Sequence, residues 1–183
     1  MKYAGLAELI LWVGFLAYWI LMGVRTRGSF SRKGAGVRLV IFLVYALLVR
    51  LAVVHQPAAG LQPTGLVRSV LGLGLTILGL AFAIWARVYL SSNWGMPMTE
   101  RVGGSLTTTG PYRLVRHPIY TGMILGLVGT AVAVGWFLLL PTAILCTYFV
   151  FSALYEERYL VKIFGQEYET YKATTKMLVP YLF

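Results

Sequence analysis

The longest uncharged stretch of the chain, residues 119–155, constrains the fold more than any other feature. It holds no Asp, Glu, Lys or Arg over 37 consecutive residues. A membrane-spanning α-helix needs about 20 apolar residues, so this stretch is too long for one span and suits two. Gly135-Trp136 marks the predicted turn. The sequence therefore predicts a helical hairpin, 119–134 and 137–154, whose two ends lie on the same side of the membrane.

Three further apolar runs, at residues 4–24, 37–54 and 66–90, are also long enough to cross a bilayer. Hydrophobic residues make up 58% of the chain and charged residues 12%. A soluble domain carries about 25% charged residues. Together with the hairpin, these runs predict an all-α integral membrane protein with five transmembrane helices. The polar end of the chain predicts an amphipathic C-terminal helix.

We expect a single membrane domain over residues 1–183. Within it, residues 1–54 would supply the first two spans, and residues 66–183 would form the functional core from the third span, a loop, the hairpin and the tail. Small residues let helices approach closely in lipid. The third span carries a stripe of them at helical spacing, which predicts its packing face: Gly72, Thr76, Gly79, Ala83 and Ala86.

The distribution of basic residues predicts the orientation in the membrane. Five of the 16 Lys and Arg residues lie between residues 25 and 38, and none lies in the loop 55–65. Because cytoplasmic loops carry an excess of Lys and Arg, we expect the N-terminus outside and the C-terminus in the cytoplasm. The net charge of +10 then indicates orientation and attraction to anionic lipid, not nucleic-acid binding. The short loops favour a prokaryotic inner membrane.

Two charged residues lie inside or beside predicted spans. Glu8 is near the outer end of the first span, where we expect a solvated residue that reaches the interface. Arg87 is at the cytoplasmic end of the third span. It could extend to the lipid headgroups or point into a polar pocket. The chain has one cysteine and no metal-ligand spacing, so no metal site is predicted.

Two polar groups flank the hairpin. Tyrosine, arginine and histidine side chains between residues 112 and 120 precede it, and Glu156 and Glu157 follow it. A hairpin brings its ends together, so we expect these groups to be neighbours. They could hold a zwitterionic ligand, or they could form an ordinary interfacial cluster of salt bridges. No Ser-His-Asp set and no phosphate-binding loop is present in the sequence.

Residues 110–122 read Gly-Pro-Tyr-Arg-Leu-Val-Arg-His-Pro-Ile-Tyr-Thr-Gly. This segment resembles the G-x-Y-x-x-x-R-H-P-x-Y-x-G motif of the isoprenylcysteine carboxyl methyltransferases and their phospholipid methyltransferase relatives. Residues 156–171 and a later proline are similar to that family's second motif, with the pattern E-E, then F-G-x-x-Y-x-x-Y. Asn93-Trp94 resembles the entry to the family's cytoplasmic loop. The resemblance covers residues 91–180.

The resemblance implies an S-adenosylmethionine-dependent membrane methyltransferase with its cofactor in a cytoplasmic pocket. From the chemistry of the side chains, our hypothesis is that Arg116 and His117 suit the cofactor's carboxylate and that Glu156 suits its amino group or ribose. The acceptor would be a membrane amphiphile that enters sideways from the bilayer, most closely a prenylcysteine-like carboxylate undergoing O-methylation. The implied cofactor residues are Leu106, Thr107, Tyr112, Arg116, His117, Pro118, Ile119, Tyr120, Glu156 and Glu157.

Two positions depart from the family pattern. Ser152 stands where the prenylcysteine enzymes carry an arginine that meets the substrate carboxylate, and Gly104 replaces a histidine of the loop. Arg87 is the candidate that could replace the missing substrate-side charge. The alternatives are a methyltransferase for phospholipid amines or for small hydrophobic thiols or acids, an NADPH-dependent sterol-type reductase, and a non-enzymatic membrane protein.

Overall fold

The computed structural model describes residues 2–25, 65–90 and 105–182. These residues form helices and connecting turns, and no strand occurs among them. The predicted second span at 37–54 and the loop residues 91–104 lie outside the described residues. The helices are α1 (Lys2–Arg25), α2 (Leu66–Leu90), α3 (Pro118–Val134), α4 (Leu139–Phe164) and α5 (Gln166–Thr174), with short 3-10 helices at Gly110–Arg113 and Trp136–Leu138.

The described helices confirm the predicted class of an all-α integral membrane protein. Three segments are long and apolar enough to cross a membrane: Ala4–Met22, Leu66–Leu90 and Trp136–Phe164. The first arm of the hairpin, Pro118–Val134, is equally apolar but has only 17 residues. The division of the chain into a two-span N-terminal part and a functional core stays a prediction.

The helical hairpin forms where the sequence predicted it. Helix α3 ends at Val134, and Gly135 leads into the 3-10 turn that opens α4. A Cβ atom on Gly135 would lie 2.3 Å from the Phe137 ring, so a larger residue there would force that ring to move. Helix α4 then runs without interruption to Phe164, and so it carries Glu156 and Glu157 back to the beginning of α3.

Helices α2 and α3 are in direct backbone contact along their small residues. A Cβ atom on Gly79 would lie 2.5 Å from the Gly126 nitrogen, and one on Gly129 would lie 2.5 Å from the Thr76 nitrogen. Such close approach maximises van der Waals contact between helices in lipid. All five residues of the predicted stripe on α2 are buried, which confirms that packing face: Gly72, Thr76, Gly79, Ala83 and Ala86.

Glu8 on α1 faces the protein interior and is only 2% exposed. Its Oε1 accepts a hydrogen bond from the Thr76 hydroxyl (3.0 Å) and its Oε2 accepts one from the Thr130 hydroxyl (2.8 Å). Trp12 Nε1 donates in turn to Thr130 Oγ1 at 2.9 Å. The prediction of a solvated end residue was therefore wrong. Hydroxyls from two neighbouring helices satisfy the carboxyl group inside the protein, which makes burial tolerable.

The C-terminal tail returns to the body of the molecule. Helix α5 is amphipathic and buries Tyr168 and Tyr171. After α5 the chain turns back, and Met177 and Leu178 join a buried cluster that includes Tyr120. The tail therefore packs directly beneath the beginning of α3, where the candidate site lies.

Candidate functional site

The first half of the candidate site begins at a glycine-dependent turn. Gly110 has a φ of +59° and opens the 3-10 helix. A Cβ atom there would lie 2.6 Å from the Tyr89 ring at the end of α2. The Tyr89 hydroxyl is 2.8 Å from Thr109 Oγ1. The glycine of the motif thus permits both the left-handed backbone and close packing on α2.

Helix α3 starts immediately after His117. Pro118 occupies the first helical position, where its missing N–H group leaves no helical hydrogen bond unmade. The rings of His117 and Tyr120 stack at a centroid distance of 5.7 Å, and Tyr120 stacks on Phe149 of α4 at 5.6 Å. Both His117 and Tyr120 are buried. The start of α3 thus orders an aromatic stack that reaches across to α4.

Glu157 lies at the centre of an ion-pair cluster. Arg116 Nε donates to Glu157 Oε1 at 2.7 Å, and His117 Nε2 is 3.4 Å from the same oxygen. Lys172 Nζ lies 3.6 Å from Glu157 Oε2. The Glu157 side chain is 6% exposed. A carboxylate this enclosed needs such partners, because an unpaired buried charge is strongly destabilising. Glu157 therefore serves the framework of the site.

Glu156 has a more open environment than its neighbour. Its side chain is 36% exposed, its Oε2 accepts a hydrogen bond from the Tyr120 hydroxyl at 3.2 Å, and His117 Nδ1 lies 3.8 Å away. The two adjacent glutamates therefore lie in different environments. Glu156 is the carboxylate that a ligand could reach, and the aromatic stack lies beside it.

The backbone of the tail holds the Arg-His pair in place. The backbone N–H groups of Arg116 and His117 donate to the carbonyls of Lys176 (2.8 Å) and Met177 (3.1 Å). The Arg116 guanidinium also donates to the carbonyls of Lys172 and Thr175. The sequence analysis missed this pairing. One sequence signal for the packing of the tail was available. The three-residue spacing of Tyr168 and Tyr171 places both on one buried face of α5.

Tyr171 ties α5 to the motif. Its buried hydroxyl donates to the Tyr112 carbonyl at 2.5 Å, and the Tyr112 hydroxyl is 3.5 Å from the Ala86 carbonyl of α2. Burial raises the pKa of both Tyr168 and Tyr171 well above the usual tyrosine range, and the Glu157 carboxylate raises them further. Both phenols therefore stay neutral, and the Tyr171 hydroxyl keeps the proton that it donates to the Tyr112 carbonyl.

The structure brings together most, but not all, of the predicted cofactor residues. Arg116, His117 and Tyr120 meet the two glutamates directly, and Tyr112 joins them through α5. The remaining predicted residues lie nearby in sequence: Leu106, Thr107 and Ile119 are half-buried, and Pro118 is buried. Leu106 and Thr107 belong to an extended segment before the 3-10 helix, and among the described residues neither contacts the glutamates through a hydrogen bond or ion pair.

Arg87 points into the protein rather than towards the membrane surface. It is 3% exposed, and its Nη2 donates to the Met22 carbonyl of α1 at 3.4 Å. Its guanidinium also interacts electrostatically with Tyr18 and with Tyr112 of the motif. The sequence left two environments open for Arg87, a polar pocket and the headgroup region. The structure shows the side chain in the polar interior.

Ser152 lies on α4 one helical turn before Glu156. The residue is 1% exposed, and its hydroxyl makes no hydrogen bond to any part of the chain that the structure describes. A buried hydroxyl without a partner is uncommon in folded proteins. The side chain therefore adds a small polar group to the buried face that leads to Glu156.

The family of the chain follows from a match between its sequence and a family model. The model described as phospholipid methyltransferase matches residues 67–167, more than half of the 183-residue chain. The chain belongs to this family. The matched segment contains α2, the aromatic stack and both glutamates, and so it includes the whole first half of the candidate site.

Individual relatives carry different names. The chain is 32% identical over 123 residues to methanethiol S-methyltransferase 1 of Bradyrhizobium diazoefficiens, covering 60% of this chain and 43% of that protein. It is 38% identical over 77 residues to protein-S-isoprenylcysteine O-methyltransferase of Schizosaccharomyces pombe, covering 41% and 33%. It is 30% identical over 131 residues to the cobalt-zinc-cadmium resistance protein CzcN of Cupriavidus metallidurans, covering 66% and 51%. The matched parts thus span about half of these relatives or less.

Proposed function

We propose that this protein is an S-adenosylmethionine-dependent methyltransferase that acts on a membrane-embedded amphiphile. The observation that carries the proposal is the half-exposed Glu156 carboxylate, held 3.2 Å from the Tyr120 hydroxyl and 3.8 Å from His117 Nδ1. Membership of the phospholipid methyltransferase family supports it. The predicted cytoplasmic location of this site and of the C-terminus, with the N-terminus outside and the protein in a prokaryotic inner membrane, is part of the proposal.

The donor set fits the proposed cofactor. S-adenosylmethionine carries an ammonium group, a carboxylate, ribose hydroxyls and a positive sulfonium, and when bound it would supply an electrophilic methyl group. Glu156 suits the ammonium group or the ribose. The imidazole of His117 suits the carboxylate. The buried aromatic stack of His117, Tyr120 and Phe149 would shield one side of the cofactor from water.

The residues around Glu157 have a supporting role in this proposal. Methyl transfer is an in-line displacement, so correct orientation and exclusion of water supply most of the rate. The Arg116–Glu157 ion pair and the paired tail hold His117 at a fixed position beside Glu156. A carboxylate acceptor is already a nucleophile, and so no side chain has to remove a proton from it.

For the acceptor we propose a prenylcysteine-like carboxylate, with Arg87 as its cationic partner. The Arg87 guanidinium is buried at the end of α2 and interacts with Tyr112, which belongs to the proposed cofactor site. A buried cation beside the site is the partner that a carboxylate taken from the bilayer requires. The acceptor would enter between helices from the lipid.

A small thiol is the second candidate acceptor. The neutral Ser152 on the buried face of α4 favours it, because that hydroxyl offers no counter-charge to a carboxylate. Relatives named methanethiol S-methyltransferase, from Bradyrhizobium diazoefficiens, add support. The two candidates differ in one requirement, since only the carboxylate needs Arg87.

Ligand binding tests the reaction class. We expect isothermal titration of the protein in lipid nanodiscs to show binding of S-adenosylhomocysteine and no binding of NADPH. Binding of NADPH alone would indicate a reductase, and binding of neither would indicate a protein without this activity. Both of those outcomes would contradict the proposal.

Transfer of labelled methyl groups tests the acceptor. The panel is N-acetyl-S-farnesylcysteine, a phospholipid amine and a small alkyl thiol. We expect transfer to the farnesylcysteine, and we expect Arg87→Gln to abolish it. Arg68→Gln is the matched control, because Arg68 lies on the same helix, exposed, and bonds the Val132 carbonyl at the other end. Transfer to the thiol alone, unaffected by Arg87→Gln, would select the second candidate.

A further inference from the structure

We propose that the surface formed by the 3-10 helix and the C-terminal turn binds the headgroup of an anionic phospholipid. This surface is separate from the candidate methyl-transfer site and does not depend on the proposed function. It contains a cavity of about 290 Å³, close to the lower limit of roughly 300 Å³ for ligand pockets. The cavity is lined by Arg113, Leu114, Thr174, Thr175, Lys176, Pro180 and Tyr181.

The charge of the cavity is uniformly positive. Among the described residues that line it, Arg113 and Lys176 carry a charge and none is acidic. Neither side chain forms a salt bridge within the described ranges, whereas Lys172 and Arg116 nearby both contact Glu157. Two uncompensated cations beside a membrane attract anionic headgroups. The threonine side chains add polar surface next to the charges.

Backbone pairing holds together the two segments that carry the cations. Arg113 lies on the 3-10 helix, and the N–H group of Leu114 closes this helix on the Pro111 carbonyl at 3.1 Å. Two residues further on, Val115 pairs with Lys176 in a parallel bridge. The cations therefore extend from two segments that are paired to each other. A phosphate bound here would have to order the two exposed side chains but not the backbone segments that carry them.

The rim of the cavity is apolar and exposed, which favours a lipid over a free phosphate ion. Leu114 is 46% exposed and lies four residues before the apolar helix α3. Tyr181 of the lining is 92% exposed, and Val179 and Leu182, its neighbours in the sequence, are 44% and 80% exposed. Tyrosine and large aliphatic residues at the end of a membrane helix are suited to the lipid interface. The combination of a cationic cavity and an apolar rim matches a phosphate diester with acyl chains attached.

Lipid retention tests this proposal. The protein would be extracted from vesicles of equal phosphatidylglycerol and phosphatidylcholine, and its bound lipids would be quantified by mass spectrometry. We expect a clear preference for phosphatidylglycerol. In the double variant Arg113→Gln/Lys176→Gln we expect the affinity for phosphatidylglycerol to fall on the order of tenfold, because each basic residue near an anionic surface contributes.

The matched control is Arg158→Gln/Lys162→Gln, which removes the same charge from exposed positions on α4. We expect this control to change retention less than about twofold. An equal fall in both double variants would show general attraction to negative lipid and would overturn the proposal. Equal retention of the two lipids by the unmodified protein would also overturn the proposal.

Two further measurements complete the test. Soluble glycerol 3-phosphate should bind much more weakly than phosphatidylglycerol, because it lacks the acyl chains that contact the rim. Equally tight binding would replace the lipid with a free phosphate as the ligand and contradict the proposal. If the charge variant did not fold, Tyr181→Ser/Leu182→Ser would test the rim on two exposed side chains. Unchanged lipid preference in that variant would equally oppose the proposal.

Discussion

Two buried carboxyl clusters in the described part of the chain differ in their partners. Glu8, among the membrane helices, is held by the hydroxyls of Thr76 and Thr130. Glu157, at the end of α4, is held by Arg116, His117 and Lys172, and the neighbouring Glu156 stays half-exposed. The Glu8 cluster joins three helices and is closed. The difference shows that a buried carboxyl group alone does not indicate a site; an accessible carboxylate beside a fixed framework does.

Among the changes that test this comparison, the loss of Arg116 should lower the stability of the protein most. Arg116→Leu removes the 2.7 Å partner of Glu157 and leaves a buried carboxylate poorly compensated, which costs about 3–5 kcal/mol. Thermal unfolding in detergent should show a large drop in melting temperature. Arg158→Leu, an exposed change on α4, is the control and should have little effect. Similar melting temperatures for the two variants would mean that the ion pair does not hold the framework.

The two adjacent glutamates should respond differently to the same chemical change. Glu156→Gln should weaken binding of S-adenosylhomocysteine by about tenfold to a hundredfold, because a charged hydrogen bond contributes about 1.5–3 kcal/mol. Its melting temperature should stay close to that of the unmodified protein. Glu157→Gln should instead lower the melting temperature, since it disrupts three contacts.

Isothermal titration calorimetry with S-adenosylhomocysteine and thermal unfolding, both measured on Glu156→Gln and Glu157→Gln, test this difference. An unchanged cofactor affinity in Glu156→Gln would contradict the role assigned to that carboxylate. A loss of stability of equal size in both variants would remove the distinction between ligand contact and framework.

The closed cluster at Glu8 should affect stability and leave ligand binding intact. Glu8→Leu removes the carboxylate that accepts from the Thr76 and Thr130 hydroxyls, leaves the Gly126 carbonyl as their shared acceptor, and should cost about 1–3 kcal/mol. Glu8→Gln keeps an acceptor oxygen and should cost less. Thermal unfolding and calorimetry with S-adenosylhomocysteine check both statements. A specific loss of cofactor binding in a folded Glu8→Gln protein would make this cluster part of the site, against the comparison.

The smallest effect on stability is expected at the contact between α3 and the C-terminal tail. Thr121→Val removes the hydrogen bond from the Thr121 hydroxyl to the Leu178 carbonyl (2.7 Å) and should cost about 1 kcal/mol. Hydrogen exchange of the amides around residues 176–178 should become faster. Thr147→Val is the control, because the exposed Thr147 hydroxyl bonds the Ala143 carbonyl of its own helix and is far in sequence from the tail. Equal exchange of the tail in both variants would show that this bond does not hold it.

Much of the fold followed from the sequence because hydrophobic length and periodicity are local properties. The 37 uncharged residues required two helices, and the small residues of the third span identified its packing face. The order of the two motifs around the hairpin also indicated that Glu156 and Glu157 return to His117. The roles of the individual cofactor residues stay predictions, as does the predicted span at 37–54.

Only the tertiary structure decided which distant polar groups meet. Glu8 and Arg87 could each have faced the membrane surface, and both turn inward because other helices supply partners at their positions. The pairing of Arg116 and His117 with the tail is also invisible to periodicity, since it joins backbone atoms some 60 residues apart in the sequence. A local pattern states which residues share a face, but hydrogen-bond partners depend on how those faces are assembled.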